Sequence, residues 1–484
     1  MTAPDWAPLR KALADRRDRA TDQIEERRAQ RRSDRMTVRE RIAGLVDPDS
    51  FAEIGLLAGE GDADGFVAGR ALVHRRPVLI GAEDWTYQGG SIGVAGASKR
   101  VRLAELAGRT GAPLILVLDG AGHRATNLLQ PHRPAPNDLQ LLADLVGTVP
   151  LISVVAGPSA GHGALAAPFS DLVVMAGPEA ALFTAGPPVV RASTGEDVDK
   201  LELGGAEVHC RVSGVAHQRA GDESTGFALV RRWLRYAFWP VQPGADGPRP
   251  CHLTEVIPTD PRRPYDVIRV IDELVDRDSW FEQQPEFGTS LVTGLARLAG
   301  RAIGLVANQP KVRAGTIDVS AADKGARFLD TCRMLGLPVL FLTDNPGVLA
   351  GSASERAGIL RAAARMYAAQ RRLDTGKLQV TLRKAYGFGS SVMAVNPCDG
   401  QWLNLALPTA TLGGIPARLG AQTSGADAEL TRQLTSGEAT GPWRQAASGG
   451  FDDVIDPAEL RTALLTGIRD LPVTNRRWTT RPEE

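Results

Sequence analysis

Gly69-Arg70-Ala71-Leu72-Val73-His74-Arg75-Arg76 and Gly294-Leu295-Ala296-Arg297-Leu298-Ala299-Gly300-Arg301 open the two stretches that decide the fold. A shift of 225 residues lays Gly69 to Gly122 onto Gly294 to Gly347 without a gap, with fourteen of 54 positions identical. Among them are Lys99/Lys324, Gly111/Gly336, Pro113/Pro338, Asp119/Asp344 and Gly122/Gly347. Upstream the match continues at a slightly larger offset, Leu45-Val46-Asp47 with Leu274-Val275-Asp276. Downstream Gly161-His162-Gly163 answers to Gly387-Phe388-Gly389. A match this long at one offset is a duplicated domain, not a solenoid of short repeats.

The totals agree with two domains. A chain of 484 residues is too long for one compact core, and 43% apolar residues is ordinary for a globular protein. The 56 basic and 56 acidic residues cancel, which removes the usual electrostatic argument for nucleic acid or an anionic membrane as partner. Cys210, Cys251, Cys332 and Cys398 are far apart in the chain, without the spacing of a zinc ribbon or a disulfide framework. No run approaches the ~20 apolar residues of a membrane span, and the start of the chain has no apolar signal core. The expectation is a cytoplasmic protein with reduced thiols and no metal.

Residues 1–35 read as a charged helical arm, 36–240 as the first domain, 241–264 as a Pro-rich linker and 265–484 as the second domain. Thr37-Val38-Arg39-Glu40 is a capping box that starts a helix ending before Asp47-Pro48. Strands are predicted over Phe66–Val73, Val78–Gly81, Leu114–Leu118 and Leu151–Ala156, with a helix from about Ala97 to Ala107. Trp239 to Pro264 holds seven prolines, among them Pro240, Pro243, Pro248 and Pro250, which disfavours helix and interior strand. The second copy repeats the pattern, with strands near Leu291–Leu298, Ala302–Ala307, Val339–Thr343 and Leu378–Leu382. A helix from Ala321, a long helix around Glu355–Ala369, a surface loop over Gly441 to Gly450 and a helix over Pro457–Gly467 complete it. Strands and helices alternating in this way predict α/β domains with active loops at strand ends.

Chemistry is expected where these loops turn. Gly161-His162-Gly163 and Gly387-Phe388-Gly389 each open a helix at the end of a strand, where glycine permits a sharp turn and close approach to peptide amides. Amides fixed there can hold a developing oxyanion, but a tight turn that merely packs would read the same way. His123 and His162 sit on the neighbouring loops and could move a proton, or could be satisfied loop histidines. Lys99 and Lys324 could meet phosphates or lie exposed on their helices. Gly120-Ala121-Gly122-His123-Arg124-Ala125 mimics a dinucleotide fingerprint, but the matching turn, Asn345-Pro346-Gly347, does not repeat it. No nucleophile elbow, Walker loop or HExxH is present.

At these residues the chain resembles the carboxyltransferase (β) subunits of biotin-dependent acyl-CoA carboxylases, the propionyl-CoA carboxylase type. Thr37-Val38-Arg39-Glu40-Arg41-Ile42 with Asp47-Pro48-Asp49-Ser50-Phe51 is similar to their entry motif. Glu202-Leu203-Gly204-Gly205-Ala206 with His209, Asn308-Gln309-Pro310, Pro346-Gly347 and Arg383-Lys384-Ala385-Tyr386-Gly387 match further along. The resemblance implies two tandem crotonase-like domains, with each active site where one subunit's N-terminal domain meets another's C-terminal domain. It implies a homo-oligomer built from dimers, up to a hexamer, served by a biotin carboxylase and biotin carrier on separate chains.

The reaction it implies moves a carboxyl group from carboxybiotin to the α-carbon of a short or medium acyl-CoA through an enolate, with two backbone oxyanion holes and no metal. The amides of Gly161 and His162 are assigned to one hole, and those of Phe388 and Gly389 to the other. Gly120, Ala121, Gly122, His123 and Ser391 are assigned to the substrate, and Pro346, Gly347 and Gly387 to the cofactor. The family's Gly-Gly pairs are Gly161-His162 and Gly387-Phe388 here, and a β-carbon is costly wherever φ is positive. Two other readings remain open: a biotin-independent decarboxylase or thioester hydrolase for malonyl-type CoA esters, and a non-catalytic structural subunit.

Overall fold

The computed structural model describes residues 5–31, 33–59, 64–129, 136–242, 247, 249–474, 476 and 478. Pro243 and Pro248 lie outside the described residues. The chain divides into two compact units, Met1–Phe238 and Trp239–Glu484.

The first unit is built on a seven-stranded sheet. Its strands are β1 (Ala52–Ile54), β2 (Phe66–Val73), β3 (Arg76–Glu83), β4 (Leu114–Leu118), β5 (Leu151–Val155), β7 (Leu172–Ala176) and β9 (Gln218–Ala220), in the order β1-β2-β3-β4-β5-β7-β9. β6 (Pro158–Ala160) and β8 (Ala181–Phe183) form a separate parallel pair. The first two ladders are antiparallel and the others parallel. β4, β5 and β7 are buried at every residue, which is why they read as unbroken apolar runs: a parallel strand covered on both faces has no polar side.

The second unit repeats this plan. Its strands are β10 (Phe281–Gln283), β11 (Leu291–Leu298), β12 (Arg301–Asn308), β13 (Val339–Asn345), β14 (Lys377–Tyr386), β15 (Leu403–Ala406) and β17 (Asp453–Val454), with β16 (Thr411–Gly413) beside β14. The strand register obeys the offset read from the sequence. Gly69 faces Ile80 and Gly294 faces Leu305; Leu79 faces Leu114 and Gly304 faces Val339. The isolated bridges Ile92–His123 and Ile317–Val348 repeat at the same spacing. Side chains repeat with the backbone. Asp47 accepts from the His74 and Arg75 amides and pairs with Arg231, as Asp276 accepts from Ala299 and Gly300 and pairs with Arg461.

Several expectations need correction. Lys99 and Lys324 are neither exposed nor placed to meet a phosphate. Both are buried, and their ammonium groups donate to backbone carbonyls, Lys99 to Phe66 and Lys324 to Gln284, Phe287 and Leu291. The stretch 241–264 is not a free linker. Cys251, Leu253, Val256 and Ile257 join the core of the second unit, and the carbonyls of Pro258, Asp260 and Arg263 receive the Arg383 guanidinium. The long helix around Glu355–Ala369 is two helices, Ser352–Ala357 and Ile359–Arg372, broken at Gly358 (φ 88°). The loop over Gly441 to Gly450 contains a short helix, Trp443–Ala447. In the arm, helix Ala7–Gln30 is mostly exposed but buries Ala20 and Ile24 and pairs Arg27 with Asp84.

Candidate functional site

In the first unit the loop after β4 and the turn after β6 lie against each other. The Ala121 amide donates to Gly89 O, Ile92 donates to Gly122 O, and Ala160 donates to Gly120 O, all within 3.0 Å. A methyl on Gly122 would stand 2.8 Å from the Ala160 carbonyl oxygen and 3.8 Å from Gly161 Cα. Gly120, Ala121, Gly122 and His123 are therefore brought to the turn Gly161-His162-Gly163.

That turn starts a helix, Gly161–Ala164, with φ of 58° at Gly161. The counterpart Gly387 has φ of 52° and starts helix Gly387–Val392. The left-handed step falls on the glycine in both copies, while His162 and Phe388 have negative φ, so neither β-carbon is strained. His162, Phe388 and Gly389 lie in the first turns of these helices, where peptide amides have no partner within the helix itself. Beside Gly161 a cavity of about 350 Å³ is lined by Leu165, Leu182, Phe183, Thr184 and Val215 among others. His209 also borders it, with its ring held by Leu182 O and Ser213 Oγ, a structural arrangement.

The His162 ring does not stand alone. Its Nε2 is 2.5 Å from Asp138 Oδ1, and its Nδ1 is 3.1 Å from His123 Nε2. The two rings meet edge to face, with centroids 4.5 Å apart. Asp138 is buried at the start of helix Asp138–Leu145, with Arg100 at 3.8 Å and Arg100 in turn paired with the buried Glu83. Burial opposes ionisation of Asp138, but the His162 hydrogen bond and the Arg100 charge hold its carboxyl below the usual range. Burial, then the neighbouring His162, pushes the His123 imidazole below its ordinary value, against the pull of Asp138.

In the second unit Gly347 and the turn Gly387-Phe388-Gly389 come together. A methyl on Gly389 would meet Asn345 Oδ1 at 1.8 Å and Gly347 Cα at 2.9 Å. Asn345 Oδ1 accepts from the Gly347 amide, and its Nδ2 donates to Asn308. Pro346 sits at this bend. Asp344 below it is fully buried between Arg383 and Lys384. The Phe388 ring is 69% exposed at the rim. Ser391 lies half-buried on the same short helix and accepts from Asn396 Nδ2 at 2.9 Å.

Sequence reasoning missed Asp138, Arg100 and Glu83. Asn137-Asp138-Leu139-Gln140 is legible as a capping box, and the structure forms it, but nothing in the spacing ties Asp138 to His162. Among the described residues no group of three or more His, Cys, Asp or Glu could hold a metal ion, and no helix is long and apolar enough to cross a membrane. All four cysteines are free.

A duplicated unit of this topology, with a glycine-led amide turn at the end of the same strand in each copy, defines a tandem crotonase-like enzyme. The chain belongs to the carboxyl transferase domain family, whose model matches residues 29–482. It is 34% identical over 466 residues to the methylmalonyl-CoA carboxyltransferase 12S subunit of Propionibacterium freudenreichii subsp. shermanii, covering 90% of this chain and 88% of that one. It is 33% identical over 468 residues to the carboxyltransferase subunit of propionyl-CoA carboxylase from Haloferax mediterranei, covering 90% of each. Among solved structures it is similar to the hexameric transcarboxylase 12S with methylmalonyl-coenzyme A bound, with a TM-score of 0.87, 31% identity, and 100% of this chain and 98% of that one covered. The chain is a carboxyltransferase.

Proposed function

We propose that this chain is the carboxyltransferase subunit of a biotin-dependent acyl-CoA carboxylase, accepting a short or medium acyl-CoA and a carboxybiotin delivered on a separate carrier chain. The observation that carries this reading is the pair of glycine-led amide turns, one at the same strand end of each duplicated half. An enolate needs a fixed hydrogen-bond donor at its oxygen, and each such donor is worth about 3–4 kcal/mol of barrier. The Gly161 and His162 amides hold one oxygen, and the Phe388 and Gly389 amides the other. Neutral peptide donors suit the uncharged oxygens of a thioester and a cyclic urea, so the residues present fit both groups.

Carboxybiotin, when bound, supplies CO2 and a base for the α-proton. The residues of this chain bind and orient. The loop Gly120 to His123 lies along the acyl-CoA, Pro346, Gly347 and Gly387 line the approach of the carrier's ring, and Ser391 borders the acyl group. The site is completed between protomers, the N-terminal domain of one facing the C-terminal domain of another in a dimer-based oligomer that reaches a hexamer. The location is cytoplasmic.

The test is transfer of label from a carboxylated biotin carrier to propionyl-CoA by the purified chain. Labelled methylmalonyl-CoA that forms only with the charged carrier supports the reading; no labelled thioester over a range of acyl lengths refutes it.

A further inference from the structure

We propose that His123, His162 and Asp138 form a proton relay serving the α-carbon of a bound CoA thioester, giving the chain a biotin-independent activity. That activity is exchange of the α-proton and release of CO2 from α-carboxylated thioesters. The inference rests on the acyl-CoA reading above and adds a side-chain acid–base group to a site otherwise made of amides.

The hydrogen-bond chain has a direction. Asp138 is an ionised carboxylate and can only accept, so His162 Nε2 carries the hydrogen shared across 2.5 Å. The other nitrogen of a neutral His162, Nδ1, is then a bare acceptor, and the hydrogen in the 3.1 Å contact belongs to His123 Nε2. This leaves the lone pair of His123 on Nδ1, where among the described residues the hydrogen-bond contact is Asn127 Nδ2 at 3.5 Å. The Asn127 amide gives one hydrogen to Ile92 O at 2.9 Å, and its other reaches His123 Nδ1 only at this long distance, a contact that itself requires Nδ1 to be the acceptor. The result is a base at the exposed end, a second imidazole in the middle and a buried anion behind, the order that stabilises an imidazolium once it forms.

Its position suits the substrate. His162 supplies both the ring at the middle of the chain and one amide of the turn, and the loop bearing His123 packs on Ala160 and Gly161 beside the apolar cavity. In the forward step the α C–H bond breaks and its electron pair moves onto the thioester oxygen facing the amides. The proton goes to His123 Nδ1, His123 Nε2–H shifts toward His162 Nδ1, and His162 shares its other hydrogen with Asp138. A solvent hydrogen returns by the reverse path. With an α-carboxylated thioester the same enolate forms when the C–CO2 bond breaks. His123, having taken a proton from water, then delivers it to carbon, so the sum is thioester carboxylate plus H+ giving acyl-CoA plus CO2.

Among the described residues the charged and titratable groups that reach His123 are His162, Asp138 and Arg100, and of these Asp138 alone raises its proton affinity. The purified full chain is incubated with propionyl-CoA in deuterated buffer, without carrier, and the α-methylene signal is followed by proton NMR; CO2 release from methylmalonyl-CoA is measured in parallel. The unmodified chain exchanges, with a rate that rises with pH to a plateau reached below neutrality. His123→Gln lowers exchange and CO2 release by at least about 100-fold while propionyl-CoA still binds by calorimetry. Asp138→Asn slows exchange and moves the inflection to lower pH, a shift that loss of packing alone would not produce. In 15N-histidine spectra of the unmodified chain, His162 shows the Nε2–H form; an Nδ1–H form overturns the relay whether or not the variants fold. Wild-type exchange rates in His123→Gln also overturn it. Binding without exchange removes the relay and leaves the carboxyltransferase reading standing, whereas absence of propionyl-CoA binding removes both.

Discussion

Gly389→Ala tests the cradle in the second unit most directly. The φ of Gly389 is not positive, so any residue could adopt its backbone; the obstacle is space. The new methyl would lie 1.8 Å from Asn345 Oδ1 and 2.8 Å from its Cγ, so one side must move by more than about 1 Å to reach ordinary contact. If Asn345 moves, it loses its bonds to the Gly347 amide and to Asn308, each 3.0 Å, in a site where Asn345 is fully buried. Two buried groups left unsatisfied cost about 2–6 kcal/mol. If the helix start moves instead, the Phe388 and Gly389 amides leave their places, and a displacement of about 1 Å costs on the order of 100-fold in rate. The expected result is a carboxyl-transfer rate at least ~100-fold down, with a lowered melting temperature if Asn345 yields. Gly437→Ala is the control: it lies in helix Ala428–Ala439 with nothing within 4 Å of the added methyl, and should keep the rate. A Gly389→Ala chain as fast and as stable as its parent would refute the reasoning.

Lys324→Met should destabilise its unit more than Lys99→Met destabilises the other. Three carbonyls lose a donor in the first case and one in the second, a difference of about 2–6 kcal/mol measurable by denaturant unfolding of each variant. Burial pushes the Lys324 amine well down, so above its folded pKa the unfolded chain binds the extra proton; stability should rise with pH until the ordinary lysine value, and that rise should vanish in Lys324→Met. Asp344→Asn strands the buried Arg383 and should cost about 3–5 kcal/mol, read as a drop in melting temperature. Ser391→Leu should change the ratio of rates on acetyl-, propionyl- and butyryl-CoA, and an unchanged ratio would exclude Ser391 from the acyl pocket.

The fold was legible because a duplicated sequence carries its own control. A strand run such as Leu114–Leu118 is ambiguous alone, but with Val339–Thr343 at the same offset, flanked by the same Pro and Asp, it becomes a strand at a known place. The glycine turns were legible for the same reason. What stayed hidden were contacts between residues distant in sequence that no local pattern encodes. Lys99 and Lys324 sit on helices whose charge suggested solvent, yet their partners are carbonyls more than 30 residues away. Asp138 drew no reading from the sequence, because its contact depends on a histidine 24 residues further on. The prolines after Trp239 could not reveal that Leu253 and Val256 between them pack into the core of the second unit.

One consequence follows from where the left-handed residue sits in the two amide turns. Because Gly161 and Gly387 absorb the bend, the position after each is ordinary helical backbone, occupied by an imidazole in one half and a phenyl in the other. New side-chain function can therefore be grafted at residue 162 or 388 without redrawing the peptide path. Substitution at these two addresses should change the chemistry displayed beside the turns while leaving their backbone course intact.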